Sequence, residues 1–401
     1  NLIAVTVNNI DPGTIAADQT ICEGDTPASL IGTPATADGI IDILWQQSAD
    51  GTTGWTDADG VNNTVSYSPP ALIADTWYKR IVTSELNGII CSGETSTVHI
   101  AVNNLNPGSI AVDQTICEGN APAPFTSVPA TGNGIISYRW MQSPDGMSGW
   151  VAASGVNNGE TYTAPVLTTD RWYKRVVTSS LPGKTCMAES NIIRMTVNSL
   201  PTAFLSGDAV ICEGESTPLS VVLTGTPPWS IDYFDGTTTY TIGSIMASPF
   251  VFDVMPVVNT SYSLSAVSDA YCGGISFPGT AAVTVNPIPF AYQLTGSGDG
   301  SYCAGGSGIE LILNGSQTGI SYTLMFGLGS LGTPVAGTGS PISFGYVTNP
   351  GTYYVVATDV LTGCFLQMPG IIHVTVYPIP LVNFHADTAC LGAVTQFTLT
   401  G

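Results

Sequence analysis

Nine cysteines, three histidines and 29 acidic residues are the side chains of this 401-residue sequence best suited to chemistry. A zinc site needs closely spaced ligands, but no C-x-x-C pair occurs and His99, His373 and His385 are scattered. A serine triad needs a positioned histidine. His99 and His373 instead sit inside alternating strand patterns, and His385 opens a separate segment. Glycoside hydrolysis needs two carboxylates facing one cleft, whereas the acidic residues here recur at turns. The glycine cluster CAGGSG at 303–308 follows a cysteine and precedes a strand, so it forms no phosphate loop. No catalytic residue, metal site or cofactor is expected, and the chain does not read as an enzyme. Disulfide chemistry remains.

The cysteines follow an internal repeat. DQTICEG occurs at 18–24 and again at 113–119, and VICEG recurs at 210–214. The first two copies keep a constant offset of 95: Cys22/Cys117, Trp45/Trp140, Trp55/Trp150, Tyr78/Tyr173, Cys91/Cys186 and Val102/Val197. Cys212, Cys303 and Cys390 continue the series at spacings of 95, 91 and 87. Each copy closes on an alternating strand: VHIAVNN, IRMTVNS, AAVTVNPIP and IHVTVYPIP. This period suits a β-sandwich of about 100 residues and is too long for a solenoid repeat. The organisation read from it is a last strand at 1–9, modules at 10–104, 105–199, 200–287 and 288–378, and the opening of another at 379–401.

One early and one late cysteine per full module make intramodular pairing the simplest framework. The expected bonds are Cys22–Cys91, Cys117–Cys186, Cys212–Cys272 and Cys303–Cys364, with Cys390 left over in its shortened module. Disulfides imply an oxidising compartment, hence secretion.

Composition agrees with an all-β fold. Charged residues are only 9% against 44% hydrophobic, and 45 Gly and 27 Pro punctuate runs rich in Val, Ile, Thr and Tyr. The net charge is −21, and all eight basic residues lie before position 195. Such a chain cannot neutralise phosphates, which excludes nucleic acid and disfavours an anionic membrane surface. No run of about 18 apolar residues occurs, so no membrane insertion is expected. No leader is visible before the strand pattern NLIAVTVNN, as expected of processed material or a piece of a longer chain.

Within module 2, SIAVDQTIC reads as the first strand and IISYRWMQS as the strand carrying Trp140. Shorter strands at Trp150 and ETYTAP precede the long RWYKRVVTS, and IIRMTVNS closes the module. Trp45 and Trp140 stand where immunoglobulin-type sandwiches bury a tryptophan. Thr76/Tyr78, Thr260/Tyr262, Thr352/Tyr354 and the lone Tyr173 resemble the tyrosine corner, whose phenol bonds back to the main chain. The late cysteine falls 10 or 13 residues beyond this tyrosine. The bridge is therefore expected to tie the first strand to the loop before the last strand.

DQTICEG, the W-x-x-S-x-DG-x-x-GW block, WYKRVVTS and VTVNP-x-P together resemble the immunoglobulin-like and PKD-like repeats of giant cell-surface proteins of Bacteroidota. LTGTPPWSIDYFDGTTTY and GSQTGISYTL resemble two further repeat types of the same proteins. The resemblance spans essentially the whole chain. It implies a secreted, cell-surface protein exported by the gliding-associated type IX route, of the adhesin or filament type, with no active site to carry over.

Three features stand beside that reading. Glu23, Glu118 and Glu213, with Asp18, Asp113 and Asp208 upstream, could hold calcium weakly or serve their own turns. Modules four and five have YCAGG and ACLGA there, so the fold does not need that glutamate. The Ser-x-Asp-Gly-x-x-Gly-Trp blocks at 48–55 and 143–150 resemble Asp-box hairpins, and Trp55 and Trp150 could stack on a surface glycan or pack on the turn. Lys79, Arg80, Lys174 and Arg175 place one member of each pair inward. They read either as stems covering apolar surface with heads on carboxylates or as contacts between modules or chains. The expected function is a stalk or filament, partnered by flanking modules of a longer chain or neighbouring copies in a fibre. The alternative is an adhesin whose modules bind glycan or protein.

Overall fold

Alternation along the long strand Thr76–Leu86 sets the first module. Tyr78, Arg80, Val82 and Ser84 point inward while their neighbours are partly exposed, the period of two that a half-buried strand requires. The computed structural model describes residues 5–386, 391–392 and 397–400. No helix occurs among them, and the chain divides into two units, Asn1–Leu200 and Pro201–Gly401.

In the first unit each repeat builds the same six-stranded sheet. In module 1 its order is Gln19–Cys22, Val98–Asn103, Thr76–Leu86, Ile40–Ser48 and Thr56–Asp57, with Ile89–Glu94 also pairing the long strand. The first strand runs parallel to the last, Cys22 opposite Asn103, and the other neighbours are antiparallel. Module 2 repeats this with Gln114–Cys117, Ile193–Asn198, Arg171–Leu181, Ile135–Ser143, Val151–Ala152 and Lys184–Glu189.

The facing layer of these modules is barely a sheet. Module 1 has one two-residue pairing, Ile10–Asp11 with Thr36–Ala37, and a single bridge, Leu30 to Tyr67. SIAVDQTIC accordingly splits into Ser109–Ile110, which pairs Ser127–Val128, and Gln114–Cys117 in the main sheet. ETYTAP contributes only a bridge at Tyr162. Between the layers lie Leu30, Trp45, Tyr67, Tyr78, Val98, Ile100 and Val102, with Trp45 and Trp140 fully buried.

The second unit holds two fuller sandwiches. A five-stranded sheet (Ala209–Cys212, Thr280–Asn286, Thr260–Ser268, Trp229–Phe234, Thr239–Ile245) accompanies a three-stranded one (Ala203–Ser206, Thr217–Leu223, Phe250–Val254) in module 3. Module 4 pairs Leu294–Gly296, Ile309–Leu313 and Ile342–Val347 in the same way. Its larger sheet is built on Gly351–Asp359 and Ile320–Phe326, with Ser301–Cys303 again parallel to the last strand Ile372–Tyr377. Beyond it, Asn383–Ala386 and Phe397–Thr400 form an antiparallel pair. The chain is an all-β tandem array of immunoglobulin-like sandwiches.

Candidate functional site

The site with the most specific geometry is the junction between consecutive modules. Parallel pairing of first and last strands puts Cys22 beside Asn103, at the pole where the chain leaves module 1. The long strand runs antiparallel to the last one, with Thr76 opposite Ile100, so its start lies at that exit pole. Its far end turns through Asn87 and Gly88, both at positive φ, into Ile89–Glu94, where Cys91 sits opposite Ser84. Ser84 lies eight residues from Thr76, about 26 Å at strand rise. Cysteines with Cα atoms more than about 7 Å apart do not bridge without backbone movement.

The expected pairs are therefore not formed. Cys22 bonds Cys186 of the next module, with Cα atoms 5.7 Å apart, and Cys212 bonds Cys364, at 5.5 Å. This replaces Cys22–Cys91, Cys117–Cys186, Cys212–Cys272 and Cys303–Cys364. Cys117 and Cys272 are also disulfide-bonded, whereas Cys91 and Cys303 are free thiols. Cys390 lies outside the described residues. In the first unit the late cysteine stands on a hairpin strand (Lys184–Glu189), not in the expected loop. The sequence signals for these hairpins are the two-residue turns Asn87-Gly88 in module 1 and Pro182-Gly183 in module 2.

Polar contacts frame the Cys22–Cys186 bond. The Asn103 amide donates to Ser179 O at 2.8 Å, and Ser179 Oγ donates to Asn103 Oδ1 at 2.7 Å, both side chains being fully buried. Asn133 Nδ2 donates to Val102 O at 3.0 Å, and Lys184 pairs with Asp25 at 3.0 Å. Buried groups satisfied from both sides fix the relation of the two modules, because separating them would leave each one unpaired.

The basic side chains divide as their alternation requires. Lys79 and Lys174 reach Glu94 and Glu189 of their own modules, each at 2.7 Å. Arg80 is fully buried and meets main-chain carbonyls: Nη1 donates to Val65 O at 2.9 Å, and Nη2 to Thr33 O at 2.8 Å and to Pro12 O. Arg175 does the same with Glu160, Pro107 and Val128. Burial lowers both guanidinium pKa values, yet an arginine stays charged in a protein. Gly13 is required beside this fork: its φ is +71°, and a Cβ there would stand 2.5 Å from Thr33 O. Sequence reasoning gave the arginine heads carboxylate partners and missed this role.

The tyrosine corner moves to other residues. The Tyr78 and Tyr173 phenols are buried without a hydrogen-bond partner. Tyr67 and Tyr162 bond back instead, to Asp59 O at 2.6 Å and Ser154 O at 2.7 Å. Burial pushes the Tyr67 pKa up to about 12. On the long strand of module 4 the buried tyrosine is Tyr353, whose hydroxyl donates to Asn349 O at 2.8 Å, and Tyr354 is partly exposed.

The recurring aspartates, Trp55, Trp150, His99 and His373 each bond or pack within their own modules. Asp18, Asp113 and Asp208 accept the main-chain N–H of His99, Arg194 and Ala282, so each clamps a last strand. No group of three metal-ligating side chains occurs among the described residues. Asp50 Oδ1 accepts the Thr52 and Thr53 amides at 2.8 and 2.7 Å, closing its turn, and Asp145 does the same in module 2. Trp55 and Trp150 are half-buried, each with a lysine ammonium (Lys79, Lys174) 4.5 Å from the ring centre. His99 stacks on Trp77 and meets Asp75 at 3.2 Å, a place taken in module 2 by Arg194, Trp172 and Asp170. His373 meets Thr352 at 3.0 Å.

A family model described as "Domain of unknown function (DUF8696)" matches residues 11–104 and 106–199. No curated protein matches the chain. Among solved structures, a three-immunoglobulin I-band fragment of titin is similar at 14% identity and a TM-score of 0.42, covering 71% of this chain and all of that one (100%). An ICAM-5 ectodomain fragment follows at 11% identity and a TM-score of 0.35, covering 92% and 99% of the two chains. A 1.5-MDa bacterial ice-binding adhesin structure gives 14%, 0.31, 68% and 97% in the same order. These likenesses concern the fold alone.

Proposed function

We propose that this chain is an extracellular structural array, a segment of a stalk or filament at a bacterial cell surface. The observation that carries the reading is the Cys22–Cys186 bond between modules, set in the buried Asn103–Ser179 contact. Cys212–Cys364 repeats the arrangement in the second unit. A disulfide inside a sandwich stabilises that sandwich, whereas one across a junction restrains how two sandwiches move. Such bonds persist in oxidising surroundings, which supports an extracellular location. Export by the type IX route follows only from the resemblance to Bacteroidota surface proteins. The reading assigns no catalysis, cofactor or nucleic-acid partner, and its partners are flanking modules of the same kind.

Small-angle scattering on the oxidised chain tests it. The expected particle is elongated, and reducing the junction disulfides should broaden its distance distribution while each sandwich stays folded. A compact oxidised particle would overturn the stalk reading. Ligand recognition is the second reading, supported by an open groove in module 3 lined by Tyr233, Tyr240, Tyr262, Asp235 and Asp253. Tyr233 and Tyr240 stack at 5.1 Å there, a surface able to receive a sugar ring. Binding on a glycan array that disappears with Tyr240→Ala would move the assignment towards an adhesin.

A further inference from the structure

Module 1 carries in front of it the same contact it makes behind it. The Asn8 amide donates to Ser84 O and Ser84 Oγ donates to Asn8 Oδ1, both at 2.9 Å. These residues stand 95 positions before Asn103 and Ser179, which make the same two bonds at 2.8 and 2.7 Å. Ser84 is the strand partner of Cys91 as Ser179 is of Cys186. Cys91 therefore has the setting of Cys186 down to the neighbouring amide. Cys186 is bonded and Cys91 is free.

The missing piece is a first strand. Behind module 1, Gln19–Cys22 lies parallel to Val98–Asn103 and brings Cys22 opposite Asn103. Among the described residues no strand lies on 5–8. Val5 and Val7 are 81% and 63% exposed, while their counterparts Ile100 and Val102 are buried at 0% and 1%. Module 4 shows the complementary half. Cys303 ends its first strand opposite Tyr377, as Cys212 does opposite Asn286. Cys212 bonds the late cysteine of the following module, and Cys303 is exposed and free.

We propose that Cys91 and Cys303 are the two open halves of a continuing series of junction disulfides. Cys91 takes the first-strand cysteine of a sandwich whose last strand is residues 5–8. Cys303 takes the late cysteine of the sandwich entered by Asn383–Ala386. Both partners belong to the same polypeptide, because residues 5–8 already occupy the place a last strand must fill, and a docking second copy would bring its own. Each bond joins two thiols with loss of two protons and two electrons to a small-molecule disulfide such as oxidised glutathione, which leaves as two thiols. The inference goes beyond the structural role and is independent of whether the modules also bind a ligand.

The test is disulfide mapping of the native exported protein, denatured and alkylated without reduction. Pepsin replaces trypsin, since residues 195–401 offer no Lys or Arg. Cys91 and Cys303 should be unalkylated, each joined to a cysteine of an adjacent sandwich, with the same gel mass before and after reduction. Alkylated Cys91 and Cys303, or a Cys22–Cys91 or Cys303–Cys364 bond, would overturn the proposal. A mass that halves on reduction, with either thiol joined to a second copy, would overturn it equally. In the 401-residue chain alone, both thiols should react with iodoacetamide while Cys22, Cys186, Cys212 and Cys364 stay protected. Finding Cys22 or Cys364 alkylated there would also count against it.

Discussion

The two units close the same sandwich by different means. In the second unit the smaller layer is a true three-stranded sheet, where Leu205 pairs Val221 and Val221 pairs Phe250, so the ladder satisfies the main chain. In the first unit that layer is mostly loop, and loop carbonyls facing a core have no strand neighbour. The Arg80 fork gathers three of them, at Pro12, Thr33 and Val65, and Arg175 gathers their counterparts. Buried main-chain acceptors must be paired somewhere, and guanidinium has enough donors to pair several at once. The comparison also gives a physical reason for part of the charge asymmetry. Modules three and four have a ladder where modules one and two have an arginine, and no basic residue follows Arg194.

Replacing the fork is the most direct way to break this comparison. Arg80→Met should destabilise module 1 by about 3–5 kcal/mol, because it strands several buried carbonyls at about 1–3 kcal/mol each. Hydrogen exchange at the Leu30 and Tyr67 amides, which bridge the loop layer, reads the loss, while amides of the second unit should not change. Arg80→Lys should recover less than half of it, since an ammonium lacks the planar fork. Unchanged exchange in Arg80→Met would mean that the loops hold themselves. The matching test in the second unit is Leu311→Ala. Leu311 is fully buried on the central strand of its three-stranded sheet, and the cavity should cost about 3 kcal/mol in denaturant unfolding. A cost below about 1 kcal/mol would deny that this layer rests on aliphatic packing.

Much of this organisation was legible in the sequence, and each misreading has its own physical cause. Constant spacing located the repeats, and alternation in TWYKRIVTSEL and its copy located the central strand and its inward residues. Cysteine pairing was misread because one early and one late thiol per module suggest a closed unit, while the poles at which they stand depend on strand direction. The signal was the displacement of the late cysteine to 10 or 13 residues beyond the tyrosine. That distance carries it from the middle of the sandwich to its end. The arginine fork was out of reach for another reason: its partners are carbonyls, which every residue has. The tyrosine assignment failed by one residue in module 4, and a shift of one turns a strand side chain to the opposite face.

The smallest expected effect is one both units share, which makes it a control on the comparison. Asp50, Asp145 and Asp235 each accept amides of their own turn, and these bonds depress all three pKa values, that of Asp235 to about 2. For Asp50 the Thr53 hydroxyl is the largest cause, and for Asp145 and Asp235 it is the amides of Ser148 and Thr238. The folded pKa lies below the ordinary aspartate value of about 3.9. The turns are therefore at full strength above that value and lose their contribution as pH falls through the folded pKa. These carboxylates are exposed, so each turn should loosen locally without unfolding its sandwich. Chemical shifts of the Thr53, Ser148 and Thr238 amides, followed from about pH 5 to below about pH 1, should move in both units, with Thr238 responding first because Asp235 is the least depressed of the three. The Arg80 network should not respond, since arginine keeps its charge throughout. Asp50→Asn should abolish the titration at Thr53 and leave those at Ser148 and Thr238. A Thr53 amide that stays fixed across the range in the unaltered chain would show that its turn does not rest on an ionised Asp50.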